Sequence, residues 1–206
     1  MVKKMFSRRA AELSVLLGLL CAIFASMAHF EAACDDLRQN VLRLHIIANS
    51  DSEADQAVKL LVRDRILERS ADIFEGETEL YRAEEKAGER LNDFCETAER
   101  VLAENGFSYG ATAEIGVSYF ETRKYDDFTL PAGNYRSLII RLGKAEGKNW
   151  WCVVFPAVCI PAASSADLSD STSSASAQIA ESPERYVMRF KTVEIYEDLK
   201  KFLNGK

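Results

Sequence analysis

Hydrophobic residues in the middle of the chain follow two different spacings. Residues 41–48 are rich in Val, Leu and Ile and predict a β-strand. In residues 52–70 and again in residues 80–106, apolar positions recur every three or four residues, which predicts two amphipathic helices. The pair Asn105–Gly106 is a typical end for the second helix.

Three further strands are predicted in the second half of the chain. Residues 111–120 alternate in part, residues 135–142 contain strong β-formers, and residues 150–155 are aromatic and β-branched. One strand, two helices and then three strands predict an α+β domain over residues 41–162. We expect the two helices of the N-terminal half to pack on one face of a mostly antiparallel sheet of about four strands.

The two ends of the chain have patterns of their own. Lys and Arg residues precede an uncharged apolar run in residues 1–28, the layout of a signal peptide or a short signal anchor. The apolar part, residues 13–28, would be about 24 Å long as a helix, short for a hydrocarbon core of roughly 30 Å. We expect a polar spacer in residues 29–40. Residues 163–182, rich in Ser and Ala, are expected to be a loop or linker, and residues 183–206 a C-terminal amphipathic helix.

Composition and charge limit the kinds of partner. The chain has 206 residues, of which 48% are hydrophobic and 28% charged, as in an ordinary globular domain. Its formal net charge of -6 argues against nucleic acid as a partner, because phosphate binding requires a clustered basic surface. The sequence has no Walker, Rossmann or zinc-spacing motif, so no cofactor or metal is expected. The leader and the acidic remainder together indicate an exported domain.

Cysteine usage leaves two possibilities open. Export permits disulfides, and Cys152 and Cys159 could pair if the chain turns at Pro156. Full extension over the seven intervening steps would separate their Cα atoms beyond bridging distance. The alternative is that both are small, buried apolar residues.

A polar corner follows the first predicted strand. Its candidate partner-binding residues are Asn49, Ser50, Asp51 and Asp55. Ser50 and Ser52 can satisfy the free backbone N–H groups at the start of the next helix. Helix capping does not account for Asn49 together with Asp51. The corner is therefore a candidate for contact with a protein partner.

His45 raises an alternative from the enzyme class. It lies in the first predicted strand, a few residues before Asp51, and the two could serve an exported hydrolase. A catalytic triad is recognised by geometry, however, and no GxSxG elbow surrounds any serine of this sequence. A structural histidine beside a helix cap explains the same residues.

The strand GKNWWCVVFP is the second candidate for a partner surface. Adjacent residues on a strand point to opposite faces, so Trp150 and Trp151 cannot both enter one core. One of them should face solvent, a layer of helices or a partner, and exposed tryptophans are frequent interface hot spots. The candidate partner-binding residues of this strand are Asn149, Trp150, Trp151 and Phe155.

Three long segments of the chain carry a specific combination of residues. They are IIANSDSEADQAVKLLVRD at 46–64, LPAGNY at 130–135 and GKNWWCVVFP at 147–156. In order and approximate spacing they resemble the stage II sporulation protein R family, SpoIIR, of endospore-forming bacteria. The closing RFKTVEIYEDLKKFL is similar to the last helix of that family.

The resemblance implies a signalling protein and not an enzyme. Members of the family are made in the forespore and exported into the space between the two membranes. There they activate SpoIIGA, a membrane-embedded aspartic protease of the mother cell, which removes the pro-sequence of the sigma-E precursor. SpoIIGA is thus the expected partner, and the N-terminal segment would contact the membrane if it is not cleaved. A structural protein of the septum is the remaining alternative.

Overall fold

The computed structural model describes residues 2–125, 128–156, 172–182, 184 and 186–203. The helices are α1 (Val2–Asn40), α2 (Glu53–Phe74), α3 (Leu80–Glu89), α4 (Leu91–Glu104), α5 (Ser174–Glu181) and α6 (Val187–Leu203). The strands are β1 (Leu42–Ile47), β2 (Ala111–Phe120), β3 (Arg123–Lys124), β4 (Thr129–Leu130), β5 (Gly133–Leu142) and β6 (Asn149–Phe155).

Four strands form one sheet in the order β2–β5–β1–β6, and β3 pairs with β4 in a separate ribbon. β1 runs parallel to β5 and antiparallel to β6, while β2 runs antiparallel to β5. The predicted α+β fold with a mostly antiparallel sheet of about four strands is confirmed. The parallel pairing is possible because the long connection through α2–α4 and β2 returns the chain to the end of the sheet at which β1 begins.

Helices α2, α3 and α4 cover one face of the sheet. Leu42, Leu44 and Ile46 of β1 are fully buried in one cluster with Val62 of α2 and Phe94 of α4. Successive strand residues point to opposite faces, so these alternate positions form a single apolar surface. Burial of each such side chain contributes about 1.5–3 kcal/mol relative to leaving it in water.

The second predicted helix is two helices in the structure. α3 ends and α4 begins at Arg90, whose φ of -108° and ψ of 16° depart from helical values. The apolar stripe continues through the break, with Ala83 and Ala87 on α3 and Phe94 on α4 all buried. The spacing of apolar residues therefore predicted the buried face without revealing the break in the backbone.

The opposite face of the sheet is covered as well. Leu37 of α1, Phe120 of β2 and Ala177 of α5 belong to a second buried cluster there. The sequence predicts helices on one face only, because residues 29–40 at the end of α1 were expected to be a spacer and the segment that contains α5 was expected to be a loop.

Residues 29–40, expected to be a polar spacer, form the last turns of α1. Phe30, Cys34 and Leu37 are buried at helical spacing between charged residues. Residues 163–182 were expected to be a loop or linker, but Ser174–Glu181 forms α5. Residues 163–171 lie outside the described residues. The expected C-terminal helix is present as α6.

Helix α1 also contains an apolar segment that the domain does not cover. Among the described residues, α1 is the one helix long and apolar enough to cross a membrane, and only 6% of its apolar window is buried. Such a segment is no core helix, and a signal sequence near the N-terminus has the same properties.

Candidate functional site

The polar corner between β1 and α2 is centred on the carboxylate of Asp55. This residue is 5% exposed and accepts hydrogen bonds from Asn49 Nδ2 at 3.0 Å, Ser50 Oγ at 2.5 Å and the Tyr109 hydroxyl at 2.5 Å. Burial alone would raise the pKa of Asp55, but these hydrogen bonds outweigh burial and lower the pKa to about 2. Asp55 is therefore an ionised group that joins β1, α2 and the residues before β2.

The predicted helix cap lies beside this carboxylate. Ser52 has extended backbone geometry, and its Oγ accepts a hydrogen bond from the backbone N–H of Asp55 at 3.2 Å. Ser50 Oγ accepts from the backbone N–H of Ser52 at 3.2 Å. The capping roles predicted for the two serines are confirmed.

Asn49 and Asp51 hold the loop that connects β5 to β6, residues 143–148, which we call the clamped loop. Asn49 Oδ1 accepts a hydrogen bond from the backbone N–H of Lys144 at 2.9 Å. Asp51 Oδ1 accepts one from the backbone N–H of Lys148 at 2.7 Å. The two side chains that helix capping leaves unexplained therefore organise a loop that is distant in sequence.

Two glycines permit the close approach of the clamped loop to the corner. A Cβ at Gly147 would overlap the carbonyl group of Ser50. A Cβ at Gly143 would overlap the side chain of Asn49, and Gly143 has a φ of +55°, which other residues rarely adopt. The corner and the loop thus fit together only because these two positions lack side chains.

Lys59 of α2 supports the clamped loop from the helix side. Its Nζ donates to the carbonyl oxygen of Lys148 at 3.0 Å and to Gln56 Oε1 at 2.6 Å. Gln56 Nε2 in turn donates to the carbonyl oxygen of Ser50 at 2.8 Å. Desolvation lowers the pKa of Lys59, and the nearby Asp51 carboxylate opposes this shift.

His45 points away from the corner, to the opposite face of the sheet. Its Nε2 lies 3.0 Å from Asn149 Oδ1 and its Nδ1 lies 3.2 Å from Ser118 Oγ. The ring stacks on Trp151 with a centroid separation of 3.8 Å. Burial lowers the pKa of His45, which favours the neutral ring. The structure does not join His45 to Asp51, the pair that the hydrolase alternative requires.

The two tryptophans of β6 face opposite sides of the sheet, as the strand pattern predicts. Trp150 packs against the cluster under α2–α4, and the guanidinium carbon of Arg63 lies 4.6 Å from its ring centroid. Trp151 packs against Phe120 at 4.6 Å between ring centroids. Both tryptophans are half-buried, so each packs within the domain and also exposes part of its ring.

The candidate partner-binding residues differ in their access to a partner. Phe155 is 3% exposed and Asp55 is 5% exposed, so neither offers a contact surface in this conformation. Asp51 and Asn149 are exposed. The remaining four are half-buried: Asn49, Ser50, Trp150 and Trp151.

The structure describes one of the two cysteines of the predicted disulfide. Cys152 is buried in β6 with 6% of its surface exposed. Cys159 lies outside the described residues. The Cys152–Cys159 disulfide therefore stays a prediction.

Sequence reasoning did not single out Arg43, the largest fully buried side chain among the described residues. Its Nε donates to the carbonyl oxygen of Cys152 at 3.0 Å, and its Nη2 donates to the Tyr125 hydroxyl at 2.7 Å. The guanidinium carbon lies 4.0 Å from the ring centroid of Phe120 and 4.9 Å from that of Tyr135. An arginine inside an apolar strand was the available signal, since a charge is rarely buried without specific partners.

Comparison with known proteins identifies the family. The family model described as stage II sporulation protein R matches residues 38–165, which is more than half of the chain. The chain belongs to the stage II sporulation protein R family. It is 31% identical over 118 residues to stage II sporulation protein R of Bacillus subtilis (strain 168), an alignment that covers 57% of this chain and 53% of that relative. The chain thus spans about half the length of this relative, and no solved structure matches.

Membership of the stage II sporulation protein R family confirms the resemblance and supports a role in sporulation. The matched range includes the corner, the clamped loop and all of β1–β6. Helices α5 and α6 and the apolar part of α1 lie outside it. The corner and the clamped loop are therefore part of the portion that this chain shares with its family.

Proposed function

We propose that this chain is an exported signalling protein of endospore formation that activates the membrane-embedded aspartic protease SpoIIGA. The activated protease would process the sigma-E precursor in the mother cell. The observation that carries this proposal is the family match over residues 38–165. The uncovered apolar segment of α1 supports it, because such a segment can direct export from the forespore or anchor the domain at the membrane.

The corner and the clamped loop are the proposed contact surface for the protease. Lys144, Glu146, Lys148 and Asn149 present exposed side chains there, next to exposed Asp51. The backbone that carries them is already held by hydrogen bonds from the corner. A surface that is ordered before binding loses less conformational entropy when it binds, which favours affinity.

An activator must bind the active form of its protease more tightly than the inactive form. A ligand with equal affinity for the two forms shifts no equilibrium, and converting a 1:99 population to 99:1 requires about 5.5 kcal/mol of differential affinity. The proposed surface carries both signs of charge within one short loop, on Lys144 and Glu146. Such a pattern can distinguish two arrangements of a partner that place the same charged groups differently.

The test is processing of the sigma-E precursor in a non-sporulating cell that produces only the precursor, the protease and this chain. We expect processing with this chain and none without it. Equal processing in the two cultures would contradict activation.

The contact surface is tested in the same assay with Lys144→Ala combined with Glu146→Ala. These substitutions remove exposed side chains and keep the backbone N–H of Lys144 that Asn49 binds. The matched control is Glu121→Ala combined with Lys124→Ala, a pair of exposed residues at the other end of the sheet. We expect reduced processing in the loop variant alone, at an unchanged unfolding midpoint. Normal processing by a stable loop variant would exclude this surface.

A further inference from the structure

Helix α6 has two apolar faces, and the described part of the chain covers one of them. Phe190 and Val193 are buried against Phe30 and Cys34 of α1. The other face carries four large apolar side chains, here called the outer stripe: Met188, Ile195, Leu199 and Phe202. Their spacing of seven, four and three residues places them on one side of a helix.

The outer stripe is exposed to a degree that is unusual for large apolar residues. Met188 is 80% exposed and Phe202 is 81% exposed, although an amphipathic helix normally directs such residues into the core. Contiguous exposed apolar surface of this kind marks a site of contact with a protein or a membrane. Lys191 borders the stripe between Met188 and Ile195, and its Nζ lies 2.7 Å from Glu194 Oε2.

The position of α6 relative to α1 indicates what covers the stripe. Arg189 Nη2 donates to Ser26 Oγ at 3.0 Å. The ring of Tyr186 stacks on Phe30 at 5.6 Å between centroids, and Phe190 meets the same ring edge-on at 5.3 Å. Phe30 is the first buried large apolar residue after the exposed apolar run of α1. Helix α6 therefore begins at the level where the uncovered part of α1 ends.

We infer that the outer stripe of α6 lies in the surface of a lipid bilayer, beside the point where α1 leaves it. The inference rests on the proposed function in one respect, namely that α1 is retained as an anchor. Residues 13–28 extend over about 24 Å as a helix, which is shorter than a hydrocarbon core of roughly 30 Å by about two residues at each end. The boundary between hydrocarbon and headgroups therefore lies close to Phe30 when α1 spans the membrane.

The side chains at the start of α6 fit that location. Tyr186 and Arg189 combine an aromatic ring and a basic group, the residue types that occupy membrane interfaces. Lys191, at the border of the stripe, has a long apolar stem with a charged end, which suits a site where the stripe is buried in lipid and the charge meets headgroups. The exposed apolar run of α1 ends just before Phe30, and Phe30 contacts the start of α6, so the two exposed apolar surfaces adjoin each other. Because lipid covers the first surface when α1 spans the membrane, lipid is favoured over a second copy of the chain as the occupant of the second.

The experiment uses the full chain in vesicles of phosphatidylglycerol and phosphatidylethanolamine. A photoreactive phenylalanine derivative replaces one leucine at a time, at Leu199, Leu16 or Leu61. Leu16 is 57% exposed on α1 and reports insertion of the anchor. Leu61 is 47% exposed on α2, which packs on the other face of the sheet from the last turns of α1, and serves as the matched control. We expect lipid adducts at Leu199 and Leu16 and none at Leu61.

Each other result overturns the inference in a recognisable way. Lipid adducts at Leu16 without adducts at Leu199 would exclude α6 from the bilayer and leave the anchor in place. Crosslinks from Leu199 to a second copy of the chain would assign the stripe to an oligomer. The absence of lipid adducts at Leu16 and Leu199 would exclude both the anchor and the inference. Activation of the protease is measured separately by processing of the sigma-E precursor.

Discussion

The side-chain oxygen of Asn49 accepts the backbone N–H of Lys144 at 2.9 Å, although 95 positions separate the two residues in sequence. The amide group of the same side chain donates to Asp55 at 3.0 Å. One asparagine thus connects the end of β1, the start of α2 and the clamped loop. At this position the stability of the domain and the shape of the proposed contact surface depend on the same two hydrogen bonds.

Asn49→Ala is expected to destabilise the domain by about 1–3 kcal/mol, because it removes a donor to a buried carboxylate and an acceptor for the clamped loop. Urea unfolding measures the change. The matched control is Asn92→Ala at an exposed position of α4, for which we expect a change within about 0.5 kcal/mol. Equal effects of the two substitutions would show that the clamp contributes nothing.

Gly147→Ala tests the close approach between the clamped loop and the corner. The added Cβ would overlap the carbonyl group of Ser50, and relief of such overlap costs about 1–3 kcal/mol. Gly88 lies in α3 with open space around it, so Gly88→Ala should instead stabilise the protein by about 0.5–1 kcal/mol. The prediction is opposite shifts of the thermal midpoint in the two variants, and a stabilising Gly147→Ala would refute it.

Tyr109→Phe removes one of the hydrogen bonds that keep Asp55 ionised. Hydrogen bonds to charged groups contribute about 1.5–3 kcal/mol, and we expect a loss of this size near neutral pH. Tyr81→Phe, at a position 60% exposed, should leave stability unchanged.

The same substitution should also change the response to acid. The pKa of Asp55 is lowered from 3.8 to about 2, so its ionised form adds stability that is complete above the ordinary pKa and is lost as the pH falls toward 2. With one hydrogen bond fewer, the pKa of Asp55 rises toward its ordinary value. Acid unfolding, followed by circular dichroism, should therefore begin at a higher pH in Tyr109→Phe than in the wild type.

His45 should make the domain sensitive to mild acid. Burial lowers the pKa of His45 below its ordinary value of 6.5, so below that pH the folded state binds fewer protons than the unfolded state. The stability that His45 contributes is complete above its ordinary pKa and is lost as the pH falls through the range below it. His45→Gln should thus lose less stability than the wild type between about pH 7 and pH 5 in urea titrations. Identical pH profiles for the two proteins would contradict the buried, neutral ring.

Local pattern was sufficient for the regular elements of the core. The apolar run of β1, the start of α2 at Ser52 and the C-cap at Asn105 follow from spacing and capping chemistry, and each is confirmed. The last turns of α1 were missed because Phe30, Cys34 and Leu37 are separated by charged residues that dominate the composition of that segment. Helix α5 was missed because Ser and Ala are common in linkers as well as in small-residue packing against another helix.

By itself, the sequence determined the α+β class, the helix cap and the family, because these depend on neighbouring residues and on long matching segments. The partners of individual side chains were decided by the tertiary structure alone. Asn49 and Asp51 bind the backbone of a loop that is distant in sequence. His45 lies on the opposite face of the sheet from the corner, because alternate strand residues face opposite sides. Arg43 packs within an aromatic cluster. Hydrogen bonds and ring contacts between segments depend on how strands are ordered in the sheet, and that order is not encoded in any single stretch of residues.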